Sequence, residues 1–303
     1  MSPTLKDRYA GSLLGLACGD AVGTSVEFRS RGSFLPVVDM VGGGPFDLAP
    51  GQWTDDTSMA LCLAESLLAC EGFDPNDQMT RYLKWWTSGY LSSTDTCFDI
   101  GLTVRAALER FRHTGEPFSG SIHPQSAGNG SLMRLAPVAL FYFPNIEQMV
   151  HFGAESSRTT HGAPEAVECC KLLAFLIGRC LADVPKLALL DAACLSLKEP
   201  KVANLARKCY AAKSKQDVLG TGYAVASLEA ALWCFDSTAT FEAAVLAAAN
   251  LGYDADTTAA IVGQLAGAFY GVGDIPNRWL ERLYMRDEIK STAEALHAVA
   301  HGR

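Results

Sequence analysis

The chain has 303 residues, 49% of them hydrophobic, which is enough for a sizeable core in one large domain. Its 25 Lys and Arg against 33 Asp and Glu leave a net charge of −8, which excludes a general nucleic-acid binder or a basic membrane-surface protein, since both need a cationic excess. No apolar signal core opens the sequence, and no run approaches the ~20 uncharged apolar residues that span a bilayer, so a cytoplasmic protein with no membrane partner is expected.

In chain order the predicted elements are helices. KDRYAGSLLGLACGDAVG reads as a helix that Asp20 ends, with Gly11, Gly15 and Gly19 on one face, where backbones should pack closely. VGTSVEFRSRG then carries Glu27 in a less regular stretch, with extended chain near Leu35 to Met40 and a turn at Gly42, Gly43, Gly44 and Pro45. A loop of this length in a compact domain is more often functional than idle. Trp53 to Thr57, Trp-Thr-Asp-Asp-Thr, precedes the helical run SMALCLAESLLAC. Thr54 suits the N-cap, and Asp55 and Asp56 suit the positive end of the helix dipole. Four oxygen-bearing groups exceed what one cap requires, and they are the kind that bind Mg²⁺, Ca²⁺ or Mn²⁺.

A helix follows with turn signals at Asp74 and Pro75 and an exit at Gly89; another is opened by Thr96 or Asp99 and closed by Gly115. The polar turn HPQSAGNGS leads to LMRLAPVALFYF, broken by Pro137, and Pro164 stands in the first turn of a nearly continuous apolar helix. The turn GTGY opens ASLEAALWCF, and an alanine-rich helix ends at Gly252. In GYDADTTAAIVGQLAGAFYG, Asp254 and Asp256 again precede a helix, and Gly263, Gly267 and Gly271 again recur every four residues. Few stretches alternate with period two, and no repeat or linker divides the chain, so an all-α fold in a single domain over 1–303 is expected. None of the ten cysteines forms a CxxC pair. Cys62, Cys70, Cys169, Cys170, Cys180 and Cys234 lie in apolar helical patterns and read as reduced core residues, not zinc ligands. Trp53, Trp85 and Trp86 read as packing.

Two helix starts thus carry matching clusters, Thr54, Asp55, Asp56 and Asp254, Asp256, Thr257. If they face each other, four carboxylates converge, and only protonation or bound cations can relieve the repulsion. Oxygen-only ligands select hard ions, and four carboxylates suit two better than one. The same residues are also consistent with two unrelated acidic first turns.

GDAVGTSVEF, WTDDTSMAL, GNGSLMRLAPV, TTHGAPEAV and GYDADTTAAIVGQLAGAFYG together resemble the ADP-ribosylglycohydrolase family, from about Asp7 to Gly271. The resemblance implies an all-α fold with two divalent cations, Mg²⁺ or Mn²⁺, that hold the ribose diol of ADP-ribose. It implies Thr54, Asp55, Asp56, Asp254, Asp256 and Thr257 as metal ligands, and catalytic roles for Glu27, Asp55 and Asp256. It also implies substrate contacts from Gly128, Asn129, Gly130, Ser131, His161, Gly162, Gly222 and Tyr223, the last against adenine. Taken alone, Glu27 could be a solvated loop charge, His161 a cap for the following helix, and Tyr223 a core residue. GNGS is a good left-handed turn whose N–H groups could cradle phosphate. Where some relatives place an acidic residue, this chain has Ser126. The implied activity is hydrolysis of the N-glycosidic bond between ADP-ribose and protein arginine, with ADP-ribose as product. Serine-linked, nucleobase-linked or small-molecule acceptors, and a non-catalytic ADP-ribose binder, are the alternatives.

Overall fold

The computed structural model describes residues 2–189 and 195–302. Among them the chain forms thirteen α-helices and no strand, with isolated bridges at Gly43 and Leu48, Ser121 and His161, and Gly128 and Tyr223. The helices are α1 (Leu5–Gly23), α2 (Asp55–Ala69), α3 (Pro75–Ser88), α4 (Leu102–Thr114), α5 (Ala136–Tyr142), α6 (Ile146–Arg158), α7 (Pro164–Leu181), α8 (Pro200–Ala206), α9 (Ala224–Asp236), α10 (Phe241–Ala249), α11 (Ala255–Tyr270), α12 (Asn277–Arg282) and α13 (Arg286–His301). The main cluster of buried apolar residues runs from Tyr9 to Ala300. No helix among the described residues is long and apolar enough to cross a membrane.

The centre is a pair of helices with almost no solvent face. α1 is buried from Arg8 to Gly23 and α11 from Ala255 to Ala268. They lie backbone to backbone: a Cβ on Gly11 would stand 2.3 Å from the Gly267 carbonyl oxygen, and one on Gly19 2.1 Å from that of Ala259. Interior glycine costs about 1 kcal/mol against alanine in a free helix; here it permits a contact that no side chain would allow. Ser12 Oγ donates to the Gln264 carbonyl at 2.9 Å. The buried Gln264 side chain accepts from Ala136 N at 2.8 Å and donates to the Leu132 and Met133 carbonyls at 3.0 and 3.1 Å. This ties the seam to the segment carrying Asn129.

Local chemistry sets the other boundaries. Asp74 caps α3 by accepting from Asn76 N and Asp77 N, Pro75 fills its first turn, and Gly89 ends it at φ 68°. Gly115 ends α4 at φ 71°.

Several expectations are corrected. α1 continues past Asp20 to Gly23, because Asp20 hydrogen-bonds across to α2 instead of capping its own helix. The N-cap of α4 is Gly101, so neither Thr96 nor Asp99 opens it. Pro137 opens α5 rather than breaking a helix. Residues 35–40 form no strand. α10 stops at Ala249, before Gly252. Gly271 ends α11 at φ 77° and still lies against α1, its carbonyl carbon 2.8 Å from a Cβ placed on Gly11. Cys70 is exposed at the end of α2, whereas Cys62, Cys169, Cys170, Cys180 and Cys234 are buried and free; Cys194 lies outside the described residues. Helices α6, α8, α12 and α13 are additions to the sequence reading.

Candidate metal centre and active-site cavity

Asp20 organises the site from beneath. Its Oδ1 accepts from Thr54 N at 2.9 Å and Thr54 Oγ1 at 3.0 Å, and its Oδ2 from Thr57 N at 3.1 Å and Thr57 Oγ1 at 2.6 Å. Those two backbone N–H groups are among the four orphans of the α2 start, so Asp20 caps α2 from α1. Thr54 occupies the N-cap position but makes no capping bond with its side chain, which is engaged with Asp20. Four donors leave Asp20 little capacity for a ligand, and burial still pushes its carboxyl up to about 6 against their pull.

With α2 held this way, its first turn meets that of α11. Thr54 Oγ1 stands 3.4 Å from Asp256 Oδ2, and Thr257 Oγ1 donates to Asp56 Oδ1 at 3.1 Å. The two acidic helix starts therefore face each other at the end of the seam. Asp256 belongs to two groups whose oxygens lie within 4.8 Å of one another, one with Asp20 and Asp56 and one with Glu27 and Asp99. Glu27 is buried and its position is stapled: Phe28 N donates to the Tyr253 carbonyl at 2.6 Å, and Tyr253 N to the Arg29 carbonyl at 2.7 Å. Both Phe28 and Tyr253 sit at φ 60°, in the left-handed region that non-glycine residues avoid.

The electrostatics are those of buried carboxyls crowded together. Burial first, then the neighbouring carboxylates, holds Asp55, Asp56 and Asp256 well above the ordinary range. Glu27 is pushed up to about 12 by burial and then by Asp256, and Asp99 to about 7 by burial and then by Asp20. Asp254 is raised by burial, with a 2.6 Å hydrogen bond from Asn129 Nδ2 working against it. Every salt bridge of the described residues lies elsewhere. Glu27 Oε2, Asp56 Oδ2 and Asp256 Oδ1 are sealed from solvent without a hydrogen-bond partner among the described residues. Orphaned buried carboxylate oxygens are costly unless a cation meets them, so this acidic group fits a bound metal ion, and its all-oxygen donor set selects a hard one.

Above the carboxylates lies a cavity of about 360 Å³. Glu27, Asp55, Asp254 and Thr257 line it, together with Gly128, Asn129, Gly130, His161 and Gly222; Thr54, Asp56 and Asp256 are buried out of its wall. Neither Asn129 nor its flanking glycines adopts a positive φ. Gly128 and Gly130 provide room instead, since a Cβ would stand 3.2 Å from His161 Nε2 at either position. The N–H groups of Gly128 and Asn129 donate to the Ser126 and Gly222 carbonyls, so these two do not cradle phosphate.

Other residues singled out by sequence stand apart. The N-cap of α7 is Ala163, not His161. Ser131 Oγ accepts from Ser157 Oγ at 2.8 Å, and Gly162 N donates to the Ser121 carbonyl at 3.0 Å; neither lines the cavity. Tyr223 directs its hydroxyl to Glu165 and accepts from Lys201 Nζ at 2.9 Å, beside a separate cavity of about 340 Å³. Trp53 and Trp85 are buried, and Arg112 lies over the Trp86 ring.

Two acids escaped the sequence reading as members of the site. Asp20 looked like a helix end, although an acid inside an otherwise apolar helix was the available signal. Asp99 looked like a cap, but it takes φ 56° and lines the cavity beside Glu27.

Against known proteins, the sequence model for ADP-ribosylglycohydrolase matches residues 1–303. The chain is 44% identical over 291 residues to a protein of Pseudomonas putida (strain GB-1) named ADP-ribosylarginine hydrolase Tri1, covering 96% of this chain and 78% of that one. It is 40% identical to the protein of that name from Serratia proteamaculans (strain 568), covering 97% and 80%. It is 33% identical to the ADP-ribosyl-[dinitrogen reductase] glycohydrolase of Rhodospirillum rubrum, covering 98% of each. A solved structure titled "ADP-ribosylglycohydrolase-related protein complex" superposes with a TM-score of 0.87 at 44% identity, covering 98% of this chain and 99% of that one. Family match, fold and buried acidic centre agree, and the chain belongs to the ADP-ribosylglycohydrolase family.

Proposed function

We propose that this chain, acting as a single cytoplasmic domain, is a metal-dependent hydrolase that cleaves the N-glycosidic bond between ADP-ribose and an arginine side chain. The observation that carries this reading is the meeting of the α2 and α11 starts beneath one cavity, with buried carboxylate oxygens left unpartnered. Asp55, Asp56, Asp254 and Asp256 would hold two divalent cations, Mg²⁺ or else Mn²⁺. Thr54 and Thr257 would join them, since a hydroxyl that donates its proton to a carboxylate keeps a lone pair for a cation. When bound, such ions supply Lewis acidity, holding the oxygens of a ribose diol and making water more acidic.

The chain's own groups do the rest. Asn129 Nδ2 orients Asp254 through its 2.6 Å bond. Glu27 and Asp99 both line the cavity, with carboxyl oxygens within 4.8 Å of one another, and burial raises Asp99, so this pair is placed to take and return a proton. Water gives one proton to this carboxyl pair, and its equivalent passes to the departing nitrogen, so that arginine leaves as guanidinium. The names of the relatives at 44% and 40% identity favour arginine as acceptor over serine or a nucleobase. So does Phe28, 65% exposed at the cavity with the Phe46 ring 6.5 Å away, because an aromatic face attracts a guanidinium. The test incubates the protein with arginine-, serine- and nucleobase-linked ADP-ribose in Mg²⁺, Mn²⁺ or EDTA. Release from arginine that EDTA abolishes is expected; metal-independent release, or none on any substrate, overturns the reading.

A further inference from the structure

Among the described residues, Arg134 is a fully buried cation without a carboxylate partner. Its Nη2 donates to Thr160 Oγ1 at 2.6 Å, its Nη1 approaches Met59 Sδ at 3.5 Å, and its guanidinium lies 4.5 Å from the Tyr82 ring centroid. Its Nε has no hydrogen-bond partner among the described residues. So thinly compensated a buried charge is unfavourable for stability alone. Its strongest bond leads through Thr160 to His161 and the cavity.

We infer that Arg134 and Thr160 are positioning residues that fix the tautomer of His161, so that its Nε2 carries the proton and donates to an oxygen of the bound ligand. Guanidinium has donors only, so Thr160 Oγ1 must accept from it. The Thr160 hydroxyl is fully buried, and its one remaining hydrogen-bond partner among the described residues is His161 Nδ1 at 2.9 Å. Were Nδ1 protonated, the threonine oxygen would receive two donors and its own hydrogen would be buried without an acceptor. Hence Thr160 donates to Nδ1, and the single ring proton sits on Nε2. That nitrogen has no partner among the described residues, and it faces Gly128 and Gly130 in the cavity wall. Burial, and then the charge of Arg134, press the ring toward neutrality, with its pKa lowered to about 3. His161 is therefore a fixed neutral donor and not a proton acceptor in the reaction. Naming the ligand as ADP-ribose rests on the proposed function; the tautomer does not.

Two-bond ¹H–¹⁵N correlation spectra of histidine-labelled protein in EDTA read the tautomer directly. Wild type and Thr160→Ser should show His161 protonated at Nε2, and Thr160→Val should show mixed or Nδ1-protonated rings. By calorimetry with Mg²⁺, Thr160→Val should bind ADP-ribose about tenfold more weakly, and Thr160→Ser should bind within about twofold of wild type. An Nδ1-protonated ring in wild type overturns the inference, as does a Thr160→Val protein with unchanged ring and affinity. The wild-type spectrum decides the tautomer even if Thr160→Val fails to fold. Loss of ADP-ribose binding by wild type itself would sink the substrate reading and leave the spectral test standing.

Discussion

Gly15 of α1 and Gly263 of α11 lie so close that a Cβ on the first would stand 2.4 Å, and on the second 2.1 Å, from the other's carbonyl oxygen. No flexible side chain can withdraw, so a substitution must move backbone. Gly15→Ala and Gly263→Ala should each cost about 3 kcal/mol, at the upper end of overpacking penalties, in urea unfolding followed by circular dichroism. Gly273→Ala, where an added Cβ meets nothing within 4 Å, is the control and should stay within about 0.5 kcal/mol. Seam variants as stable as this control would contradict the packing described.

The carboxylate centre gives a prediction of opposite sign in its two states. Asp56→Asn and Asp256→Asn each remove one charge from a buried group of like charges. In EDTA both variants should melt above wild type, because the repulsion they relieve is uncompensated. In Mg²⁺ they should lose the metal-induced rise in Tm and about 100-fold or more of the turnover. Lower melting in EDTA with an intact metal response would remove them from the centre.

Stability should depend on pH in a way that metal suppresses. Burial raises Asp20 from 3.8 to about 6 and Asp99 to about 7. Carboxyls that hold protons more tightly when folded add stability that is complete below pH ~4 and lost as pH rises through their folded values. The metal-free protein should therefore lose this contribution between pH ~4 and ~7. The gap in Tm between Mg²⁺ and EDTA should widen from pH 5 to pH 8, while exposed carboxylates cancel in the difference. A gap that narrows over that range contradicts the assignment.

Gly130→Ala tests why the asparagine turn is glycine-flanked. Its Cβ would stand 2.8 Å from His161 Cε1, yet the backbone conformation is open to alanine. Substrate KM should rise about tenfold, the worth of one lost hydrogen bond to a charged group, with Tm within a few degrees of wild type. A large fall in Tm would mean that the glycine serves the fold.

Phe28→Leu tests the acceptor. A cation–π contact at an exposed site is worth about 0.5–1 kcal/mol, so KM for arginine-linked ADP-ribose should rise about two- to fivefold. Affinity for free ADP-ribose should not change. An unaltered KM would show that the ring does not meet the guanidinium.

Most of the helices and both acidic helix starts were legible in sequence because each rests on short-range chemistry: Asp74 before Pro75, Gly89 and Gly115 at positive φ, four-residue glycine spacing. What the glycines packed against was not legible, since Gly11 meeting Gly267 is a fact about residues far apart in the chain. Asp20 and Asp99 were misread for a related reason. An acid near a helix boundary signals a cap, and nothing local reveals that Asp20 caps a different helix or that Asp99 turns toward Glu27. Tyr223 shows the converse, a residue beside the right turn whose side chain meets Lys201 and Glu165 instead of the cavity.

The seam between α1 and α11 also bears on when the site can exist. Ser12 and Gln264, bonded across it, are 252 positions apart, so the contact that brings Asp20 to Asp256 closes a loop of most of the chain. Contacts of that span form late and slowly. On a ribosome, the first 250 residues would carry Asp20, Asp55 and Asp56 without the acids of α11. The acidic centre would be complete only once α11 had emerged and docked, so any metal it holds would be taken up after synthesis has passed Tyr270 and the two ends of the core have met.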